Sequence, residues 1–299
     1  MIDSALPMKF KDLSRRLRMA LIEDDAFHDV TSLQIPSFRS ETLTADIIAK
    51  DGGVFCGGVL IKDVLSQLTS KATLKIYKKD GASVRKGEKI ARLRAPAGAL
   101  LAGERLILNL TTHLSGIATL TRRYVQSVNG TGAKIFDTRK TTPLWRDLEK
   151  YAVRCGGGYN HRKSLGDAIL VKDNHNDYLK KKGAPPALTF RKDRLRVSPR
   201  NKLQFVAMEA RSYKEVWNAI KARADIVLLD NMDLKSIKNS IVFVKAARKA
   251  LGVATPLVEV SGGVTPERAT ELARLGVDRI SVGRLTHSAP ALDMSLEVI

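Results

Sequence analysis

The second half of the chain repeats one pattern that few folds accommodate. An apolar, β-branched run ends, and a polar residue or glycine follows at once. The pattern occurs six times, at residues 133–136, 168–171, 203–208, 225–229, 257–260 and 279–282. Helical patterns separate the runs, among them 212–222, which begins with a Ser-x-x-Glu capping box, and 266–275, which follows Thr265. Buried strands that alternate with helices predict a parallel sheet, as in α/β barrels and doubly wound folds, and six strands are too few for a complete eight-stranded barrel.

The chain before about residue 115 has a different pattern. An amphipathic stretch at 13–22 precedes short β-like runs at 43–49, 73–77 and 89–93, with glycine-containing turns between them. A helical stretch at about 100–128 follows, with leucines and isoleucine spaced for one buried stripe. We therefore predict an α/β fold with two domains, the first at 1–115 and the barrel at 116–286.

Composition narrows the class of protein. Cys56 and Cys155 are too few for a disulfide scaffold or a thiolate zinc cluster, and we expect each to be a small buried side chain. No apolar run is long enough for a transmembrane helix, and the N-terminus lacks the features of a signal or transit peptide. These features predict a soluble cytoplasmic protein without a membrane partner.

The net charge of the chain predicts an anionic partner. Lys and Arg number 51 against 31 acids, a net charge of +20. The segment 180–202 alone holds nine Lys or Arg against one acid, with three prolines and little periodicity. It is interpreted first as a solvated surface segment; attraction of an anionic substrate and contact with nucleic acid are the alternatives. Aromatic residues make up only 5% of the chain and form no platform with the basic residues, which disfavours nucleic acid.

Basic side chains follow the first two strands of the predicted barrel. Parallel strands place their carboxyl ends at one edge, so these side chains can converge there as a cationic bowl. Arginine suits bidentate binding of carboxylate or phosphate, and lysine is a compact point charge. The residues are Arg139, Lys140, His161, Arg162 and Lys172.

Two carboxylates, Glu209 and Asp230, follow the next two strands. They would repel each other unless a cation lies between them, which Mg²⁺ on a phosphorylated substrate would supply. The alternative is that they pair with the cations of the bowl. Glycine turns follow the last two strands, at Ser261-Gly262-Gly263 and Gly283, and their backbone N–H groups can bind a phosphate.

These motifs resemble one known family, the quinolinate phosphoribosyltransferases, or carboxylating nicotinate-nucleotide pyrophosphorylases. The resemblance covers nearly the whole chain in the right order. It is carried by Asp29-Val30-Thr31, Glu104-Arg105, Leu114-Ser115-Gly116-Ile117-Ala118-Thr119, Asp137-Thr138-Arg139-Lys140-Thr141-Thr142-Pro143, His161-Arg162, Lys172-Asp173-Asn174-His175, Leu228-Leu229-Asp230-Asn231-Met232, Ser261-Gly262-Gly263 and Leu285-Thr286-His287-Ser288.

The resemblance implies a fold and a reaction. The fold is an N-terminal α/β sandwich, to which the tail at 287–299 returns, plus an incomplete α/β barrel. The enzyme is a glycosyltransferase (pentosyltransferase) of NAD biosynthesis, a homodimer or higher oligomer with active sites shared between subunits. It joins quinolinate to phosphoribosyl pyrophosphate with Mg²⁺, giving nicotinate mononucleotide, pyrophosphate and CO₂.

The resemblance also assigns roles to residues. Arg105 would reach quinolinate in the partner subunit's site, and Lys140 would lie near the pyrophosphate and ribose. Glu209 and Asp230 would face the ribose and the metal. The quinolinate-binding positions would be Arg139, His161, Arg162 and Lys172. The 5′-phosphate pocket would consist of Ser261, Gly262, Gly263 and Gly283.

The sequence departs from the family pattern at two positions. Ala207 stands where the family commonly has a Glu two residues before Glu209, so a contact that supports the metal or a lysine is in question. Leu144 stands where a Gly usually follows Thr-Thr-Pro, so the loop entry is in question. Two other functions stay open: a paralogous phosphoribosyltransferase acting on another base, and a non-catalytic polyanion-binding protein on this scaffold.

Overall fold

The computed structural model describes residues 10, 12–191, 195 and 203–299. The chain separates into two compact units. The first comprises Met1–Arg122, Thr141–Gly158 and Arg284–Ile299, and the second comprises Arg123–Lys140 and Tyr159–Gly283. In the part of the chain described, no helix combines the length and the apolar character needed to cross a membrane.

The first unit is built around an antiparallel sheet. Its strands are β1 (Thr42–Ala49), β2 (Gly53–Val54), β3 (Thr73–Ile76), β4 (Ser83–Val84), β5 (Lys89–Pro96) and, from the end of the chain, β12 (Met294–Val298). Four of them form a sheet in the order β12-β1-β5-β3, while β2 and β4 pair separately. Ala49 of β1 lies opposite Met294 of β12, so the C-terminal tail completes this sheet.

Helices accompany this sheet. They are α1 (Leu13–Glu23), α2 (Val30–Leu33), the 3₁₀ helix Pro36–Arg39, α3 (Gly58–Ser66), α4 (Ala97–Ser127), α5 (Arg146–Cys155) and α11 (Arg284–His287). A close approach fixes the tail against α4, because a Cβ on Gly116 would lie 2.1 Å from the carbonyl oxygen of Pro290. The predicted runs at 43–49, 73–77 and 89–93 correspond to β1, β3 and β5, and the predicted helix at 100–128 corresponds to α4.

The second unit contains the parallel sheet. Its strands are β6 (Lys134–Phe136), β7 (Ile169–Val171), β8 (Val206–Ala210), β9 (Ile226–Asp230), β10 (Leu257–Ser261) and β11 (Arg279–Ser281). They are all parallel neighbours in the order β6-β11-β10-β9-β8-β7. The outer strands are β6 and β7, so the predicted incomplete six-stranded barrel is confirmed. The other strands differ from the predicted runs by at most one residue at an end, and the largest difference is in β8, which begins at Val206 rather than at 203 and contains Glu209.

The helices of this unit are α6 (Asp173–Lys181), α7 (Pro186–Thr189), α8 (Tyr213–Lys221), α9 (Leu234–Leu251) and α10 (Pro266–Leu275). The predicted caps are present. Ser212 Oγ accepts from the Glu215 backbone N–H and Thr265 caps α10 in the same way, through the Arg268 N–H. The sequence analysis missed α9, although Ile237, Ile241 and Val244 have the spacing of a buried helix face.

The basic segment 180–202 is only partly described. Its first residues end α6, and α7 follows at Pro186. Residues 192–194 and 196–202 lie outside the described residues, so the interpretation of this segment stays a prediction.

Candidate active site

The predicted site residues of the second unit follow its strands at one edge. Asp230 and Ser261 are the last residues of β9 and β10 and lie opposite each other in register. Lys172 follows β7 directly, and Glu209 is the penultimate residue of β8. The parallel sheet therefore brings the carboxyl ends of these strands to the same edge, as the sequence predicts.

Asp137 organises the cationic end of this edge. It is fully buried directly after β6, and its Oδ1 accepts the His161 backbone N–H at 2.8 Å. Its Oδ2 accepts from Asn160 Nδ2 at 2.6 Å. A buried carboxylate that receives these bonds ties the 159–162 segment to the end of β6. The sequence analysis placed Asp137 in a motif without giving it a role.

Arg162 lies beneath the surface beside a second arginine. Its side chain is 7% exposed, and Nη1 donates to the carbonyl oxygen of Ala168 at 3.0 Å. Burial lowers the pKa of Arg162, and the nearby charge of Arg139 lowers it further. Two guanidinium groups that act on each other while one is buried form an environment suited to an anion with more than one oxygen.

His161 is held in one tautomer by its neighbours. Its Nδ1 accepts the Arg162 backbone N–H at 2.8 Å, so the proton is on Nε2, which lies 3.3 Å from Glu259 Oε1. Glu259 is 1% exposed in the middle of β10, and Arg279 Nε donates to it at 2.6 Å. Ser281 Oγ donates to it as well. These contacts hold the Glu259 pKa down at about 2, although burial alone would raise it.

The sequence analysis missed Glu259 and Arg279. A glutamate inside the apolar run Leu257–Ser261 was the available signal, since an unpaired charge is costly there. Its partner lies directly opposite on β11, where Glu259 and Arg279 share the same register. The Arg279 guanidinium also lies over the Phe136 ring, 3.5 Å from its centroid.

The acidic end of the edge contains three carboxylates. Glu209 is buried, and its pKa is raised by burial and by the charges of Asp230 and Asp173. The Arg211 guanidinium lies 2.7 Å from Asp173 Oδ2 and 3.4 Å from Glu209 Oε1. Both Asp173 and Arg211 were outside the predicted set of site residues. Carboxylate oxygens are hard ligands of the kind that Mg²⁺ takes, and this ion commonly uses one or two of them beside water and substrate oxygens, so Glu209 and Asp230 suit it chemically. The three acids do not bring their oxygens within 4.8 Å of one another.

A cavity of about 270 Å³ adjoins Asp230 and is lined in part by Arg211 and Asn231. The glycine turn after β10 packs tightly against Asn231. A Cβ on Gly262, whose φ is 99°, would lie 2.1 Å from Asn231 Oδ1, whereas a Cβ on Gly263 would meet no atom within 4 Å. The backbone therefore approaches Asn231 closely at one glycine and lies open at the next.

The remaining predicted residues differ in their exposure to solvent. Arg139 and Gly283 are half-buried, and Lys140 and Lys172 are exposed. Arg105 is exposed on α4 in the first unit, and its proposed role requires a second copy of the chain.

The structure also locates the two departures from the family pattern. Ala207 is fully buried in β8, opposite Leu170 of β7 and Ile226 of β9. Leu144 is 79% exposed and has φ of 67°, the left-handed conformation that favours glycine. The loop thus has a backbone conformation suited to glycine at a position occupied by leucine.

The two cysteines meet in the first unit, away from these motifs in sequence. Both are buried, as predicted, and their sulfurs and an Asp80 oxygen lie within 4.8 Å of one another. Asp80 already accepts from the Gly58 backbone N–H at 2.8 Å and from Tyr151 Oη at 2.7 Å. Burial raises the pKa of the Cys56 thiol. The raised pKa of Cys56 and an occupied carboxylate favour a packing role for this group.

Comparison with known proteins agrees with the geometry. Residues 29–115 match the family model of the quinolinate phosphoribosyl transferase N-terminal domain, and residues 117–297 match that of the C-terminal domain. The chain is 40% identical over 291 residues to the probable nicotinate-nucleotide pyrophosphorylase (carboxylating) of Bacillus subtilis, covering 97% of this chain and 95% of that one.

Two further relatives extend the agreement. The nicotinate-nucleotide pyrophosphorylase (carboxylating) of Mycobacterium leprae is 35% identical over 285 residues, covering 94% of this chain and 95% of that one. The solved structure of the nicotinate-nucleotide pyrophosphorylase from Francisella tularensis superposes with a TM-score of 0.82 at 33% identity, covering 96% of this chain and 95% of that chain. The resemblance inferred from the motifs is confirmed, and the chain belongs to the quinolinate phosphoribosyltransferase family.

Proposed function

We propose that this protein transfers the phosphoribosyl group of phosphoribosyl pyrophosphate to quinolinate and removes CO₂, giving nicotinate mononucleotide and pyrophosphate. The observation that carries the proposal is the buried Arg162 with Arg139 acting on its charge. Quinolinate carries two carboxylates on one ring, and paired guanidiniums recognise such a dianion better than a neutral base.

Binding of the second substrate is assigned to the rest of the edge. Lys140 is proposed to meet the pyrophosphate. Ser261, Gly262, Gly263 and Gly283 are proposed to hold the 5′-phosphate through backbone N–H groups. Support comes from the open backbone at Gly263, where even an added Cβ would meet no atom within 4 Å.

Glu209 and Asp230 are proposed to act at the sugar. Departure of pyrophosphate leaves an oxocarbenium-like centre at the anomeric carbon, and carboxylates beside it stabilise that positive charge, a contact worth about 3 kcal/mol. A bound Mg²⁺ would neutralise the departing pyrophosphate, and Glu209 and Asp230 are proposed to hold it. The quinolinate nitrogen forms the new bond to the anomeric carbon, and no covalent nucleophile on the protein is required.

Decarboxylation follows from the product of that step. The ring nitrogen becomes positively charged, so loss of the 2-carboxylate leaves electron density on a carbon next to a cation. Arg139 and Arg162 are proposed to orient that carboxylate until CO₂ leaves, after which the carbon takes up a proton.

A direct assay tests the function. The purified protein would be incubated with phosphoribosyl pyrophosphate, Mg²⁺ and either quinolinate, nicotinate or another base. We expect nicotinate mononucleotide and CO₂ from quinolinate alone. Turnover only with another base would establish the paralogous transferase, and salt-sensitive RNA binding without turnover would establish the polyanion-binding alternative.

We also propose a homodimer with shared sites, in which Arg105 serves the partner's site. Arg105→Ala and Lys172→Ala should each abolish turnover and leave folding and dimerisation intact. Mixing the two inactive variants should restore part of the activity, because some sites then combine two intact contributions. Proven subunit exchange without recovery of activity would refute the shared site.

A further inference from the structure

The Arg211 guanidinium forms ion pairs with acidic side chains of the same chain. It lies between the end of β8 and the start of α8, and its Nη2 is 2.7 Å from Asp173 Oδ2 and 3.4 Å from Glu209 Oε1. Its backbone N–H donates to Glu215 Oε2 at 2.8 Å, which fixes the residue at the head of α8. The side chain is 52% exposed, so the guanidinium can move while the backbone stays in place.

The three acids around Arg211 need a counter-ion. Asp173 and Asp230 both act on the buried Glu209 and disfavour its ionised form. Lys172 and Arg211 act in the opposite direction, and Arg211 lines the same cavity as Asp230. The Arg211 guanidinium is therefore within ion-pair distance of Asp173 and Glu209 and shares a cavity with Asp230.

We propose that Arg211 is a built-in counter-ion of the cluster Asp173, Glu209 and Asp230, and that a divalent cation must displace it in order to bind there. Arg211 would then set the metal concentration at which the site fills. The inference depends on the proposed function only for the identity of this cluster as the metal site.

The physical basis is competition for the same oxygens. A divalent cation bound by Glu209 would share its carboxylate with a guanidinium only a few ångströms away, and the two cations would repel each other. Removing the arginine charge relieves this repulsion. Even at the dielectric constant of water, the repulsion between a divalent cation and a unit charge about 4 Å away corresponds to roughly thirtyfold in affinity.

Direct binding of Mn²⁺, followed by electron paramagnetic resonance without substrates, tests the proposal. Arg211→Gln should bind Mn²⁺ roughly thirtyfold more tightly than the parent protein, and the gain should shrink as salt is raised. Arg211→Lys keeps the charge and should bind close to the parent affinity. The matched control is Arg274→Gln, which removes the same charge from the exposed last turn of α10. It should leave Mn²⁺ affinity unchanged.

The outcomes separate this inference from the proposed function. Equal Mn²⁺ affinity in the parent protein and Arg211→Gln, equal gains in Arg211→Gln and Arg274→Gln, or no Mn²⁺ binding by any variant would overturn the counter-ion proposal. Turnover of quinolinate would still support the function in each case. Tighter Mn²⁺ binding by Arg211→Gln in a protein that does not use quinolinate would support the counter-ion and refute the function.

Discussion

The cationic and acidic ends of the barrel edge each hold like charges close together, and they differ in how those charges are stabilised. At the cationic end, Arg162 is buried against the Ala168 carbonyl while the Arg139 charge acts against it. At the acidic end, Arg211 offsets the charge of Asp173 and Glu209. An arginine keeps its charge at every relevant pH, whereas a crowded carboxyl can take up a proton instead. The cationic end is thus fixed, because its positive charge does not change with pH. The acidic end is adjustable, because its net charge can change by uptake of a proton.

The largest effect is expected at the fixed end. Arg162→Ala should lower kcat/KM for quinolinate by about 10³-fold, because it removes a desolvated guanidinium that Arg139 alone does not replace. Arg162→Lys should recover only part of the loss, since lysine lacks the forked geometry. Steady-state kinetics would measure both. Full activity in Arg162→Lys would show that this end supplies only charge.

At the adjustable end, Glu209→Gln should lower kcat by about 10²-fold with little change in KM for quinolinate. Steady-state kinetics would measure both.

The Glu209→Gln variant should also be more stable than the parent protein. The folded state raises the pKa of Glu209, so the ionised group lowers the free energy of unfolding at any pH above that raised value. We expect a midpoint of thermal unfolding about 2 °C higher at pH 7, measured by calorimetry.

The pH profile sharpens the same contrast. Activity that needs ionised Glu209 should fall on acidification at a pH above the usual carboxyl range, because its pKa is raised. Glu209→Gln should lack this acid limb. An acid limb of the same position in Glu209→Gln would assign it to another group.

Behind both ends, Glu259 pairs with Arg279 and His161 inside the sheet. Glu259→Gln should lower the free energy of unfolding by about 3 kcal/mol, because it leaves the Arg279 charge buried without its partner. The folded pKa of Glu259 is about 2 against a usual 4.5, so its stabilisation is present above about 4.5 and is lost as pH falls towards 2. Urea unfolding across this range should show a weaker pH dependence in Glu259→Gln than in the parent protein.

The smallest effect is expected outside both ends, at Leu144. Leu144→Gly should raise the free energy of unfolding by about 0.5 kcal/mol, because relief of the left-handed strain exceeds the added flexibility of the unfolded chain. Quinolinate KM should stay unchanged. Destabilisation instead would show that the Leu144 side chain makes contacts that outweigh its backbone conformation, and urea unfolding would reveal it.

Much of the fold could be predicted from the local sequence pattern. The six runs are buried strands because continuous apolar sequence between helices suits a sheet covered on both faces. Ser212 and Thr265 cap α8 and α10, as their spacing indicated. The candidate residues at strand ends follow from the same pattern, because strand direction alone decides which ends share an edge.

The pairings between charged side chains could not be predicted from local pattern. Glu259 and Arg279 are 20 positions apart, and Asp173 and Arg211 are 38 apart. Whether such charges meet depends on strand register and on where a loop turns, and both are set by packing of the whole sheet. The same holds for Ala207, whose burial between β7 and β9 becomes evident only from their register with β8.

The local sequence pattern was enough to predict the order of the six parallel strands, the family and most of the residues that could bind an anion or a cation. Those properties depend on side-chain type and short-range spacing, which the chain carries locally. Which charged groups meet is evident from the folded protein alone: Asp137 accepts the His161 backbone N–H, Glu259 lies 3.3 Å from the His161 ring, and Arg211 pairs with Asp173. Electrostatic interactions depend on distance and burial, and folding alone sets both for residues far apart in the chain.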